Sequence, residues 1–135
     1  MSTPHRSDYA RLRQVGRHGY AARRVVIARS WLQRMVGLLS RKSLSEDEGL
    51  VIPQCRCIHT FGMRFPIDVI CINRQWRVVA LREHVGPWRI VGPVWQAWGV
   101  VELQAGQVSR LAIHVGDELG LDYTQDDETA LSPAG

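Results

Sequence analysis

A small, mainly β fold is predicted, a mostly antiparallel barrel or sandwich with one N-terminal amphipathic helix at about 30–41. Three observations carry this prediction. Short β-type runs recur along the chain, turn-forming residues separate them, and a single stretch has helical period. At 135 residues the chain has the length of one domain and can bury a core without disulfide staples.

Residues 1–22 mix Arg, His, Gly and Ser without periodicity and are expected to form a flexible basic arm. Val25, Val26 and Ile27 centre a first β-type run. Ser30 then stands as a helix N-cap with Gln33 three residues on, as in a capping box. Leu32, Met35, Val36 and Leu39 follow one helical face, and Arg41 and Lys42 suit the negative end of the helix dipole.

Past an acidic turn, Leu50 to Ile52 is a strand stopped by Pro53. Cys55 to Phe61 alternates imperfectly, and Pro66 precedes the strong strand Ile67 to Ile72. Asn73 to Gln75 turns the chain into a returning strand, Trp76 to Leu81. Gly86-Pro87 and Gly92-Pro93 mark a long apolar connection carrying Trp88, Trp95 and Trp98, whose indoles are expected to plug one end of the β core. Strands are predicted at Gly99–Leu103, Leu111–Val115 and Glu118–Leu121. The single globular domain is thus 23–121, followed by an acidic tail, 122–135, with the composition of a disordered segment.

Charge is uneven. Residues 1–29 hold seven Arg and one acid, whereas residues 117–135 hold six acids and no base. A basic arm is a contact for nucleic acid or anionic lipid, or simply a solvated tail. No apolar run approaches the roughly 18–20 residues of a membrane span, and the Arg-rich start has no apolar leader behind it. A cytoplasmic protein with no membrane span is expected. Three cysteines, an odd number, argue against a disulfide framework.

Gln33–Arg41, His59–Asp68, Val100–Gly106 and Val115-Gly116-Asp117 are four blocks that together resemble those of the bacterial and archaeal domain of unknown function 192 family. The second block, with His59-Thr60-Phe61 and then Phe65-Pro66-Ile67-Asp68, resembles the His-Thr-Phe branch and lacks the Met-Lys-Asn-Thr block of many relatives. The resemblance runs from about Arg23 to Leu121. It implies a compact β-rich fold and no established catalytic activity.

The candidate pocket residues are His59, Arg64, Asp68, Glu102 and Trp88. Asp68 shares a strand face with Ile70 and Ile72, so burial requires partners for it, either backbone amides or an Arg such as Arg64. Glu102 sits likewise between Val101 and Leu103. If both carboxylates face one pocket, they form an acid–base pair; if they pair with Arg64 or Arg34, they brace the fold. Cys55, Cys57 and His59 alternate as if to bind one metal. However, two strand residues span about 6.6 Å, and two thiolates on one zinc lie at most about 4.6 Å apart. No metal or other cofactor is therefore expected, and no Ser nucleophile or phosphate loop is present. The leading reading is a non-enzymatic binding or accessory module for a small molecule or protein. A small enzyme using Asp68 and Glu102 is the alternative, and nucleic-acid binding through the basic arm is a third reading.

Overall fold

The computed structural model describes residues 9–30, 34 and 41–123. Nine strands and one short helix are seen there: β1 (Tyr9–Gln14), β2 (Ala22–Ile27), β3 (Glu48–Pro53), β4 (Ile58–His59), β5 (Ile67–Ile72), β6 (Val78–Val85), β7 (Ile90–Val91), β8 (Gly99–Gln104), α1 (Gln107–Arg110) and β9 (Leu119–Tyr123). Seven strands form one mixed sheet in the order β6-β5-β8-β3-β2-β1-β9, and β4 pairs with β7 in a second. Every pairing is antiparallel except β2 with β3. The fold is therefore mainly β, as expected, with the large sheet curled into a half-barrel.

The curl brings the two sheet edges together at one point. Arg77 and Glu118 form an antiparallel bridge. The Val78 amide donates to the Asp117 carbonyl at 2.8 Å, and the Leu119 amide to that of Trp76 at 2.8 Å. Edge strands left open invite foreign pairing, and this contact seals part of the seam.

Burial on both faces explains the composition of the central strands. All six residues of β5 are buried, which matches a continuous apolar run rather than an alternating one. Inside the curl, Leu12, Val25, Val51, Ile70, Val78, Val101, Leu103 and Leu119 form one core, to which all seven strands contribute. On the outer face Ile52, Ile58, Met63, Phe65, Val69, Val91 and Val100 form a second, beneath the β4–β7 pair. Two layers packed on one sheet are what let a chain of this size bury so much of itself.

Several boundaries differ from the sequence reading. Residues 9–14, assigned to the arm, form β1: Ala10 and Leu12 face inward, while Arg13 bonds Asp122 of β9 at 3.0 Å. Asp122 and Tyr123 belong to β9 rather than to the tail. No strand forms at 111–115. Instead Gly106, at φ 98°, opens α1, and turns follow. The helix expected at about 30–41 falls largely outside the described residues; Arg34 is helical and its amide donates to the Ser30 carbonyl at 3.2 Å. Arms 1–8 and 124–135 also lie outside them. Among the described residues, no helix is long and apolar enough to cross a membrane.

Candidate functional site

The site grows from Thr60, a fully buried polar residue at the end of β4. A buried hydroxyl and its main chain need partners, and Thr60 finds most of them on the segment 86–89, its carbonyl also accepting from the Met63 amide at 3.2 Å. Its amide donates to the Arg89 carbonyl at 2.9 Å, and its carbonyl accepts from the Trp88 amide at 3.2 Å. Its Oγ1 donates to the Gly86 carbonyl at 2.7 Å and accepts from the Arg89 amide at 2.9 Å. These four bonds lock two loops together, and they hold Trp88 at φ 63°. A bulky side chain at positive φ is strained, so it persists only where its surroundings impose it.

Because Thr60 points inward, its neighbours His59 and Phe61 point outward. Their rings lie 4.8 Å apart, and Phe61 stacks on Trp88 at 5.7 Å with an interplanar angle of 26°. The Phe61 amide donates to His59 Nδ1 at 3.2 Å, which fixes the imidazole. Ile90, register partner of His59, extends the same face. Phe61 is 39% exposed, Trp88 71% and Ile90 63%. The result is a column of three aromatic rings, rigid at its base and open to solvent.

Beneath the column lies a buried ion pair. Arg34 Nε donates to Glu102 Oε1 at 2.7 Å, and Arg34 Nη1 to the His59 carbonyl at 2.8 Å. Both residues are at most 1% exposed. Among the described residues, Glu102 Oε2 has no hydrogen-bond partner. Burial pushes the Glu102 carboxyl up from its ordinary value, against the opposing pull of Arg34. Through Arg34, Glu102 braces the main chain that carries His59.

Asp68 is elsewhere. In the β5–β8 ladder Asp68 is opposite Leu103, and Val69 is opposite Glu102. Facing residues of an antiparallel pair share a side, so the Asp68 and Glu102 carboxylates occupy opposite faces of the sheet. This corrects the acid–base pair envisaged from sequence: no proton can be relayed between groups with a sheet between them. Asp68 Oδ1 accepts from the His84 amide at 2.9 Å, and Oδ2 from the Gly106 and Val108 amides at 3.0 and 2.9 Å. Backbone amides, not Arg64, are its partners. Arg64 is exposed, three residues beyond Phe61. Of the five sequence candidates, His59 and Trp88 are joined through Phe61, Glu102 supports His59 through Arg34, Arg64 is exposed three residues beyond Phe61 and Asp68 stands apart. Phe61 and Thr60 were missed as site residues; the signal was their period-two alternation with His59.

The thiols do not converge either. Cys71 is buried, Cys55 half-buried and Cys57 exposed. Cys55 Sγ lies 3.2 Å from the Cys57 carbonyl and donates to it. Burial raises the pKa of both Cys55 and Cys71, which favours the neutral thiol over the metal-binding thiolate. Among the described residues, no three His, Cys, Asp or Glu side chains gather closely enough to hold a metal.

Of the three tryptophans expected to plug the core, Trp98 packs against it, whereas the other two do not. Trp88 and Trp95 are 71% and 72% exposed. Trp98 meets Trp76 at 6.4 Å instead, and the two help line an open groove of about 410 Å³ with Ile27, Val51, Leu121 and Tyr123. Gly92, at φ 99°, lies so close to the Arg56 carbonyl and Cys57 that a Cβ has no room, and this approach seats the tryptophan segment on the 54–57 loop.

Comparison with known proteins agrees with this architecture. A crystal structure of a protein of unknown function from Novosphingobium aromaticivorans superposes with a TM-score of 0.70 at 22% identity, over 82% of this chain and 83% of that one. A Sinorhizobium meliloti protein, provisionally assigned as a transcription regulator, superposes with a TM-score of 0.73 at 25% identity, over 84% and 95%. A UPF0127 protein of Thermococcus kodakarensis is 30% identical over 112 residues, covering 80% of this chain and 71% of its own. The family profile for DUF192, described as "Uncharacterized ACR", matches residues 13–121. With nearly all of its sheet inside that match, the chain belongs to the DUF192 family.

Proposed function

We propose that the chain is a non-enzymatic binding module whose contact surface is the ring column of His59, Phe61 and Trp88. The observation that carries this reading is the exposure of rigidly held aromatic rings. Burying such rings is strongly favourable, and natural proteins leave large apolar side chains clustered in water mainly where something covers them. Rigidity adds to this, because a surface already ordered loses little entropy on binding. The separation of the two buried carboxylates speaks against paired acid–base work, and the raised pKa values of Cys55 and Cys71 speak against either of those two as a nucleophile. Three free thiols suit a reducing compartment, which supports a cytoplasmic site of action.

Hydroxyl-radical footprinting tests the surface directly. In cytosolic extract, oxidation of Phe61 and Trp88 is expected to fall several-fold relative to buffer, while that of Tyr123, 57% exposed and outside the column, stays the same. Equal labelling of the column in extract and buffer would sink the proposal.

A further inference from the structure

We infer that the column's occupant is single-stranded nucleic acid, an inference that rests on the binding surface proposed above. Three features of the molecule point to this chemistry. The first is the geometry of the rings. Phe61 and Trp88 are nearly parallel, and Trp88 has one side against Phe61 and most of its surface in water. A planar base laid on the outer face of Trp88 continues the stack. Stacking of this kind is indifferent to base identity, since every base has a π-face.

The second is charge. The segments 54–67 and 84–98, which build the surface, contain Arg56, Arg64, Arg89, His59 and His84 and no Asp or Glu. Arg64 and Arg89 are exposed, Arg64 three residues from Phe61 and Arg89 next to Trp88. Arg56 is anchored, its Nε donating to the Ala97 carbonyl at 3.0 Å. Neither segment offers a carboxylate that would repel a phosphate beside the column. All but one of the chain's 17 basic residues are Arg, the residue that combines a phosphate-matched fork with stacking on flat rings.

The third is the form of strand. A duplex keeps its bases stacked on one another and offers only edges and phosphates, so the exposed rings have nothing to stack on. Single strands present free base faces. An acidic, aromatic peptide shares part of this chemistry, with Ile90 as a further contact, but the open face of Trp88 beside cationic segments without a carboxylate suits a base and its phosphate better.

The test uses the full chain and fluorescein-labelled oligo(dT) and oligo(U) of about twelve nucleotides, followed by anisotropy. Binding is expected in about 50 mM salt, weakening about ten-fold or more by about 200 mM. Trp88→Ala is expected to weaken it about ten-fold, with Trp88→Phe retaining most of the affinity. Trp95→Ala, which removes an equally exposed indole, leaves binding unchanged. An Arg64→Gln, Arg89→Gln double variant flattens the salt dependence, and unlabelled duplex competes poorly. Affinity that survives Trp88→Ala in a protein with unchanged circular dichroism overturns the inference, because binding then runs through the other arginines. Absence of oligonucleotide binding at low salt, with Phe61 and Trp88 still protected in extract, also overturns it and assigns the surface to a peptide. Loss of both signals removes the binding surface itself.

Discussion

Three main-chain amides from two distant segments, those of His84, Gly106 and Val108, converge on the Asp68 carboxylate. A carboxylate accepts all three; an amide side chain cannot, since its nitrogen presents hydrogens to donors. Asp68→Asn is therefore expected to cost about 2–4 kcal/mol, as a buried charged acceptor is lost and donors are left unmet. Urea denaturation measures this, and a loss below about 0.5 kcal/mol would show that the carboxylate is dispensable. The arrangement also accounts for two backbone irregularities at once: His84 at φ 50° and Gly106 at φ 98° both present their amides to the same side chain. Sequence revealed that Asp68 is buried and needs partners, because the strand around it is so apolar. It did not reveal which partners, since two of the three lie about 40 residues downstream.

Between elements, Thr60 is the clearest case of one hydroxyl joining two segments. Thr60→Val keeps the shape of the side chain and removes the bonds to Gly86 and Arg89. A loss of about 1–3 kcal/mol is expected, together with faster hydrogen exchange at the Trp88 and Arg89 amides. Unchanged exchange at those amides would mean that the backbone pairing alone holds the column. What could be read from sequence at this scale follows how local the cause is. Strand β5 was legible to the residue, because Pro66 bounds it and every position is apolar or Asp68. The hairpin after it lacks an Asn-Gly turn because Asn73 does the work: its Oδ1 accepts from the Gln75 and Arg77 amides, and Trp76 takes φ 61°. Strand β1 was hidden, because its pattern alternates Arg with Ala and Leu and its partners, β2 and β9, include the far end of the chain. Residues 111–115 look like a strand but form turns, with Ala112 at φ 51°. Of the site, His59 and Trp88 were legible as unusual residues, whereas their joining through Phe61 depends on Thr60 and on a loop about 26–29 residues away.

For the molecule as a whole, the mainly β class was readable from turn spacing, and the half-barrel curl follows from the twist that every strand carries. Two carboxylates give the fold opposing responses to pH. Glu48 is held down to about 2, chiefly by its hydrogen bond from Arg41, whose Nη2 lies 2.7 Å from Oε1. Its folded value is below the unfolded one, so its contribution is present above about pH 4.5 and lost as pH falls towards 2. Glu102 has the reverse sign. Its folded value is raised, so its protonated form favours folding, and that contribution fades as pH rises from 4.5 through the folded value. Stability curves against pH are expected to lose their acid limb in Glu48→Gln and to lose part of their decline above pH 4.5 in Glu102→Gln. Curves parallel to the parent's in both variants would refute the assignment.

The pairing of β1 with β9, register Ala10 to Tyr123 through Gln14 to Leu119, has a consequence for synthesis. Strand β1 leaves the ribosome well before its partner β9, with about a hundred residues in between. Until Tyr123 emerges, one edge of β1 lacks its neighbour and the seam at Arg77 and Glu118 cannot close. The nascent chain must therefore shelter an incomplete sheet for most of its translation. A circular permutant that joins the two ends and opens at an exposed turn such as Asn73–Gln75 makes β9 and β1 one after the other, and removes that wait.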